Sequence, residues 1–191
     1  MFKSLGVHPY LFPMPVLMIA TYNPDRSVDV MNMAWGNICS DDMVALNLTE
    51  EHMTSENIKR TKAFTISVAP ASKAVECDYL GIASARNTPD KFEKTGLTAH
   101  RSDIVDAPVV DQFPLTLECV VEEIQHGPEG FRVVGRILNC LADEKVMDEN
   151  GKVDVTKLDA FCFDQMTNSY YRIGDRLGKA FSIGLPLLKK N

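Results

Sequence analysis

The sequence lacks any apolar run approaching the roughly 18 residues that span a bilayer. Its longest candidate, PVLMIA at 15–20, has the length of a strand. Positive charge is in deficit: 20 Lys and Arg against 26 Asp and Glu give a net charge of −6. A phosphate polyanion would be repelled, which argues against a nucleic-acid partner. The motifs G-x-S-x-G, HExxH, Walker A and GxGxxG are all absent, so any enzymatic reactivity is expected to come from a cofactor. The five cysteines (Cys39, Cys77, Cys119, Cys140, Cys162) form no CxxC pair, and none lies near a histidine at metal-ligand spacing. No metal site is expected. Cys119 and Cys140 fall in apolar strand patterns and read as small buried hydrophobes in a reducing compartment. Prolines interrupt the apolar character of the first 16 residues, which does not read as a signal peptide. A cytoplasmic protein with no membrane partner is expected.

What remains is ordinary material for one packed domain over 1–191, with 45% hydrophobic and 24% charged residues. PVLMIATY (15–22), the turn residues NPDRS and SVDVMNMA form a hairpin by composition, and MVALNL (43–48) is a third strand. HMTSENIKRTKA (52–63) reads as a helix with Thr54 or Ser55 as N-cap, Glu56 in its first turn and Lys59, Arg60 and Lys62 near its end. FTISVA (64–69) is a fourth strand. Helical segments follow at 73–84 and 88–96, the second with Thr88 as cap, Pro89 in the first turn and Gly96 at the exit. Two long strands, 114–126 and 131–146, flank a GPEG turn; 155–160 reads as a short helical piece, and FCF and SYYRIG as late strands. Without regular βα alternation a doubly wound sheet is excluded. The expected fold is mainly β (α+β): an antiparallel, nearly closed barrel with inserted short helices.

Three segments have the composition of a binding site. Asn32-Met33-Ala34-Trp35-Gly36-Asn37 stands where a plain hairpin needs only a turn. Small residues allow close approach of a flat ligand, amides offer polar contacts, and the chain's only tryptophan offers an aromatic face. A bulged strand with a core tryptophan gives the same letters. His52 to Asn57 opens a helix with free N–H groups, two hydroxyls and an amide, which suits a phosphate monoester as well as it suits a plain cap. Ser84-Ala85-Arg86 with Lys91 places two cations beside a capped loop, either a phosphate clamp or a solvated surface.

In this order the segments resemble the flavin reductase-like, FMN-binding split-barrel family and, within it, the flavoredoxin branch. VDVMNMAWGNICSDDMVALNL is similar to the family's Asn-x-Ala segment and the strand after it. MTSENIKRTKAFTISVA resembles its Thr-x-x-Asn-Ile helix and following strand, and DYLGIASARNTPDKFEKTGL its Ser-Gly-Arg…Asp-Lys-Phe block. FPLTLECVVEEI with VVGRIL resembles its Leu-Glu-Cys hairpin, and YYRIG its closing Tyr-x-x-Leu-Gly. The resemblance implies a homodimeric split barrel with FMN as cofactor, acting as an NAD(P)H-dependent flavin reductase or as a flavoredoxin-like electron-transfer protein fed by a redox partner. A split-barrel protein binding another planar ligand is the alternative. By position, Asn32, Met33, Ala34 and Trp35 would line the flavin ring, with Asn37 and Ile38 continuing that wall. Thr54, Ser55 and Asn57 would hold the phosphate. Ser84, Ala85, Arg86 and Lys91 would lie near the flavin, and Tyr171 (or its neighbour Tyr170) would pack beside the ring. The sequence departs from the family where Ala85 replaces a glycine and where Asp41-Asp42 replaces two prolines, which would add negative charge near the ring. No histidine follows Gly130 at the hairpin turn, His126 being the nearest, and Trp35 is bulky for its place.

Overall fold

The computed structural model describes residues 1–188. The chain opens with β1 (Met14–Pro15) and β2 (Leu17–Tyr22). Asn23 to Ser27 reverse it: Asp25 accepts from the N–H and the hydroxyl of Ser27, at 3.0 and 2.6 Å, and Arg26 takes a left-handed φ of 70°. β3 (Val28–Met33) returns beside β2, pairing Met33 with Leu17 and Val28 with Tyr22. After Ala34 and Trp35 comes a further strand, β4 (Gly36–Ser40), where the sequence pattern shows only an interruption. The reason is burial. Every residue of β4 beyond Gly36 is exposed, so no alternation marks it.

β5 (Met43–Leu48) pairs with β4 across the Asp41-Asp42 turn, and α1 (Met53–Thr61) leads to β6 (Ala63–Val68). α2 (Ala74–Ile82) and α3 (Lys91–Lys94) follow. α3 is a single turn rather than a helix over 88–96, although Gly96 does end the segment with a left-handed φ of 69°. β7 (Ala99–Arg101) and β8 (Pro108–Val110) make a small hairpin whose strands are too short to leave a period in the sequence. β9 (Leu115–Gly127) and β10 (Gly130–Ala142) form the long hairpin, with bulges at Val134/Gly135 and Ile137/Asn139 that sharpen its twist. The expected extension of this strand to 146 ends instead in a 3-10 turn, and 155–160 is turn structure rather than helix. β11 (Phe161–Asp164), β12 (Ser169–Arg172) and α4 (Leu185–Leu188) complete the described chain. Among the described residues no helix is long and apolar enough to cross a membrane.

Seven strands form one antiparallel sheet in the order β3-β2-β6-β9-β10-β5-β4, so β3 and β4 are its two edges. Laid flat at the usual strand spacing, those edges would be roughly 29 Å apart. Yet only Ala34 and Trp35 separate Met33 from Gly36, and three Cα steps reach at most about 11 Å. The sheet must therefore curl until its edges meet at that corner, while β3 and β4 share no ladder. This is a split barrel. The mainly β, antiparallel split-barrel expectation holds.

β2 feeds two cores by alternation. Ile19 joins Leu46, Phe64 and Val133 inside the barrel, with Ile58 of α1 completing that cluster. Met18 and Ala20 face outward against Cys77 and Leu80 of α2, Phe92 of α3 and Phe161 of β11. The outer layer presses α2 onto β3, beside the corner, and β11 and β12 stand near it. Cys119 is buried as expected, but Cys140, near the end of β10, is exposed.

Candidate functional site

A groove of about 800 Å³ opens beside the Ala34-Trp35 corner, a size typical of small-molecule sites. Met31, Met33, Leu48 and Phe131 give it an apolar lining; Asn32 and Trp35 lie on one side, and the β9–β10 hairpin contributes Gln125, His126 and Arg132. Two smaller clefts continue it. One of about 250 Å³ shares Met31 and His52 and runs to Thr54, Ser84, Ala85 and Lys91. The other, of about 190 Å³, shares Asn32, Met33 and Trp35 and reaches Ala34, Asp78, Phe163 and Tyr170.

The first cleft ends at the start of α1. Its N-cap is His52, not Thr54 or Ser55, and no side chain caps the helix. The first-turn N–H groups therefore carry the positive end of the helix dipole without a side-chain acceptor. Thr54 and Ser55 lie within the helix, and their hydroxyls are already used: Thr54 donates to Asp29 Oδ2 at 2.5 Å and Ser55 to Thr49 O at 2.7 Å. Asn57 is fully buried, its Nδ2 donating to Thr21 Oγ1 at 3.2 Å and Asn23 Oδ1 at 2.9 Å. Helical geometry explains this, since Thr54, Asn57 and Ile58 share the inward face at spacings of three and four. The side chains of Ser55 and Asn57 are buried and do not line the cleft.

Lys91 does reach the cleft. Its ammonium lies 3.1 Å from Asp29 Oδ1 and donates to Leu80 O at 3.3 Å, with the two side chains only 5% and 0% exposed. Asp29 Oδ1 has no aligned hydrogen bond, so Lys91 balances it by charge. Arg86 stays at the rim: its guanidinium donates to Glu51 O at 2.9 Å and Glu56 at 3.0 Å, tying loop 83–88 to the start of α1. Ala85 needs no glycine, because it does not adopt positive φ.

At the other end, Asn32 Nδ2 donates to Cys77 O and to Tyr170 Oη, both at 3.2 Å, and Tyr170 donates to Asp78 Oδ1 at 3.0 Å. Burial, reinforced by the Asp78 hydrogen bond, pushes the Tyr170 phenol up to about 12. It stays protonated at any physiological pH. The Cys77 thiol, also pushed up to about 12 by burial, is no nucleophile. Trp35 is 47% exposed, and a tilted aromatic series runs from it through Phe163 to Tyr170, with ring centroids 6.4 and 5.9 Å apart. A core tryptophan is thereby ruled out.

Strand parity makes Tyr170, not Tyr171, the groove residue; Tyr171 points to the other face, edge-on to Phe12 at 6.0 Å. Asn37 and Ile38 do not line the groove either. They lie on the exposed edge strand β4, where Asn37 Oδ1 accepts from Ile38 N at 2.8 Å. Asp41-Asp42 adds no charge to the groove, because the turn lies at the far end of β4, roughly 13 Å along the strand from Gly36. Asp42 there is ion-paired with Arg136 at 2.6 Å.

The groove thus gathers Asn32, Met33, Ala34, Trp35, Thr54, Ser84, Ala85 and Lys91. It adds Asp29 and Asp78, which the sequence reading passed over, together with His52 from the helix start and His126, the histidine nearest the hairpin turn. One had a signal. In SVDVM, Asp29 shares the parity of Met31 and Met33, an inward position for which a carboxylate needs a reason. Asp78 had none, since its arrival depends on how α2 docks.

Known proteins share this architecture. The flavin reductase like domain family matches residues 10–157. A flavoredoxin of Desulfovibrio vulgaris (Miyazaki F) superposes with a TM-score of 0.89 at 34% identity, covering 96% of this chain and 100% of that one. A flavoredoxin from Methanosarcina acetivorans gives 0.87 at 22% identity, over 97% and 100%. An FMN-binding protein from Thermus thermophilus gives 0.74 at 16%, over 94% and 98%; at these two lower identities the likeness is one of fold. With its split barrel, its edge-to-edge corner and the groove beside it, the chain belongs to the flavin reductase-like split-barrel family, in its flavoredoxin branch.

Proposed function

We propose that the groove binds FMN and that the protein is an FMN-dependent oxidoreductase. The observation that carries this reading is the continuity of an apolar groove, flanked by Trp35, with a cleft that ends at an uncapped helix start and Lys91. A flat tricyclic ring suits the first part and a phosphate monoester the second. When bound, FMN supplies the reversible two-electron chemistry that no side chain here offers. Met31, Met33 and Trp35 exclude water from the ring, first-turn N–H groups of α1 hold the phosphate, and Lys91 offsets its charge beside Asp29. Purified protein should be yellow, or turn yellow on titration with FMN. A sample with no flavin absorption that also fails to take up added FMN rejects the reading and leaves the other planar-ligand alternative.

NAD(P)H is the proposed electron donor, because Gln125, His126 and Arg132 add polar groups to the groove's lining that a second, polar ligand could use. The half-exposed Trp35 favours a second reading, in which a redox partner protein delivers electrons and the chain acts as a carrier. Loss of nicotinamide absorbance in a mixture of protein, FMN and NADH or NADPH decides between them. A homodimer is proposed as well. It is supported by the exposed edge strand β4 and by apolar side chains such as Leu11, Leu177 and Phe181 that find no cover among the described residues.

Asn57→Ala separates structure from binding. It strands two buried acceptors and should lower stability in urea by about 2–3 kcal/mol. FMN affinity, measured at the same temperature, should stay within about twofold of the parent.

A further inference from the structure

Both protons of the Asn32 amide nitrogen are committed, one to Cys77 O and one to Tyr170 Oη. A peptide carbonyl only accepts, so the amide cannot be turned the other way round. Tyr170 donates its own proton to Asp78, and a carboxylate likewise only accepts. Two fixed acceptors, at either end, therefore set the direction of the whole chain. Only Asn32 Oδ1 is left to face a ligand, and Asn32 borders both the large groove and the cleft beside Tyr170. The arrangement is held from both sides. A Cβ on Gly81 would lie 3.1 Å from Asn32 Cβ, so α2 packs directly against this residue. The Tyr170 ring is fixed by Phe161 and Phe163, with centroids 5.3 and 5.9 Å away.

We propose that Tyr170 and Asp78 are positioning residues that act through Asn32, so that the site offers a bound flavin one hydrogen-bond acceptor, Asn32 Oδ1, for a ring N–H. The proposal rests on the flavin reading above and deepens it. It specifies what the site selects: a heteroaromatic edge that donates. Oxidised isoalloxazine has a single ring N–H, at N3, and the reduced ring gains another at N5. Loss of the acceptor must then weaken binding of the oxidised flavin, the reduced flavin or both.

The test is a double-mutant cycle on the FMN-loaded protein. Tyr170→Phe and Asn32→Ala should each weaken binding about tenfold. A loss in the oxidised state appears directly on FMN titration and disappears when 3-methyl-FMN is the probe. A loss confined to the reduced state appears as a potential more negative by about 30 mV, the equivalent of tenfold for a two-electron couple. In the Asn32→Ala background, Tyr170→Phe should change neither quantity by more than about twofold. Gly81→Ala, which crowds Asn32 from the helix side, should reproduce the single-variant loss. Additive effects of Tyr170→Phe and Asn32→Ala, or wild-type affinity and potential in Tyr170→Phe, overturn the proposal. A flavin-free readout stands beside these. Asp78→Asn should bring the Tyr170 phenol down from about 12 towards the ordinary value near 10, seen as the phenolate absorbance missing from Tyr170→Phe. If wild-type protein takes no flavin, the functional reading fails by itself, and an unmoved phenol titration refutes the chain of hydrogen bonds independently.

Discussion

Lys91→Met should lower stability by about 3–5 kcal/mol, the usual cost of leaving one member of a buried ion pair without the other. The side chains of Lys91 and Asp29 are 5% and 0% exposed, so water cannot replace the lost ammonium. Thr54 still donates to Asp29 Oδ2 at 2.5 Å, but one hydroxyl does not neutralise a carboxylate in the fold interior. A domain of this kind has about 5–15 kcal/mol in total, so the loss is a large fraction of it. At roughly 2–4 °C per kcal/mol for this chain length, the melting temperature should fall by about 6–20 °C. The double variant Asp29→Asn/Lys91→Met removes the stranded charge and should recover most of that loss. Lys94→Met, by contrast, breaks a pair with Asp90 whose side chains are 51% and 59% exposed, and should leave the unfolding midpoint close to the parent's. Thermal and urea unfolding check all three. A Lys91→Met protein as stable as the parent would mean that the pair is solvated and that the cleft is wetter than its geometry implies. FMN affinity of the double variant then reads the binding role of the Asp29–Lys91 pair apart from its role in stability.

The barrel was legible because most of its strands obey simple rules. The NPDRS and GPEG turns sit between apolar runs, and β2, β3, β5 and β6 carry enough inward side chains to reveal themselves. β4 escaped because both its faces are exposed, and β7 and β8 because three residues make no pattern. The corner at Ala34 and Trp35 stood out by composition, but its meaning is topological. It joins the two edges of a curled sheet, which no local window contains. The directions of the site's side chains were hidden for the same reason. Ser55 and Asn57 have the right chemistry for a phosphate, yet the inward stripe of α1 is polar, so their groups are spent on Thr49, Thr21 and Asn23. Tyr170 and Tyr171 are adjacent letters on opposite faces of β12, and only its pairing with β11 tells them apart. His126 lies five residues from Phe131 in sequence, beside it across the hairpin in register, and its ring centroid is 6.2 Å from that of Phe131. Residue type was readable; direction was not.

Gly130→Ala should damage the groove more than any other change to the hairpin. Gly130 sits at φ 151°, and a Cβ built there lies 2.3 Å from Leu48 O, 3.3 Å from Leu48 C and 3.4 Å from Thr49 Cα. These are backbone atoms of β5 and the turn after it, so no rotamer change relieves the overlap. The register pairs Phe131 with Leu48, and that contact must open for the methyl group to fit. The same two strands border the groove: Leu48 and Thr49 on one, and Gln125, His126, Phe131 and Arg132 on the hairpin. Moving the hairpin tip away from β5 therefore widens the space proposed for the ring, where misplacement of about 1 Å is costly to a positioned ligand. The expected outcome is a stability loss of about 1–3 kcal/mol, with FMN affinity reduced about tenfold or more. The NAD(P)H-linked activity, where present, should fall with it, because His126 travels with the tip. Gly127→Ala is the control within the same turn. Its nearest neighbour would be Gly130 O at 3.7 Å, an ordinary contact, and it should leave affinity and melting temperature close to the parent. Equal effects of the two substitutions would show that hairpin mobility, rather than the close approach of Gly130 to Leu48, controls the groove.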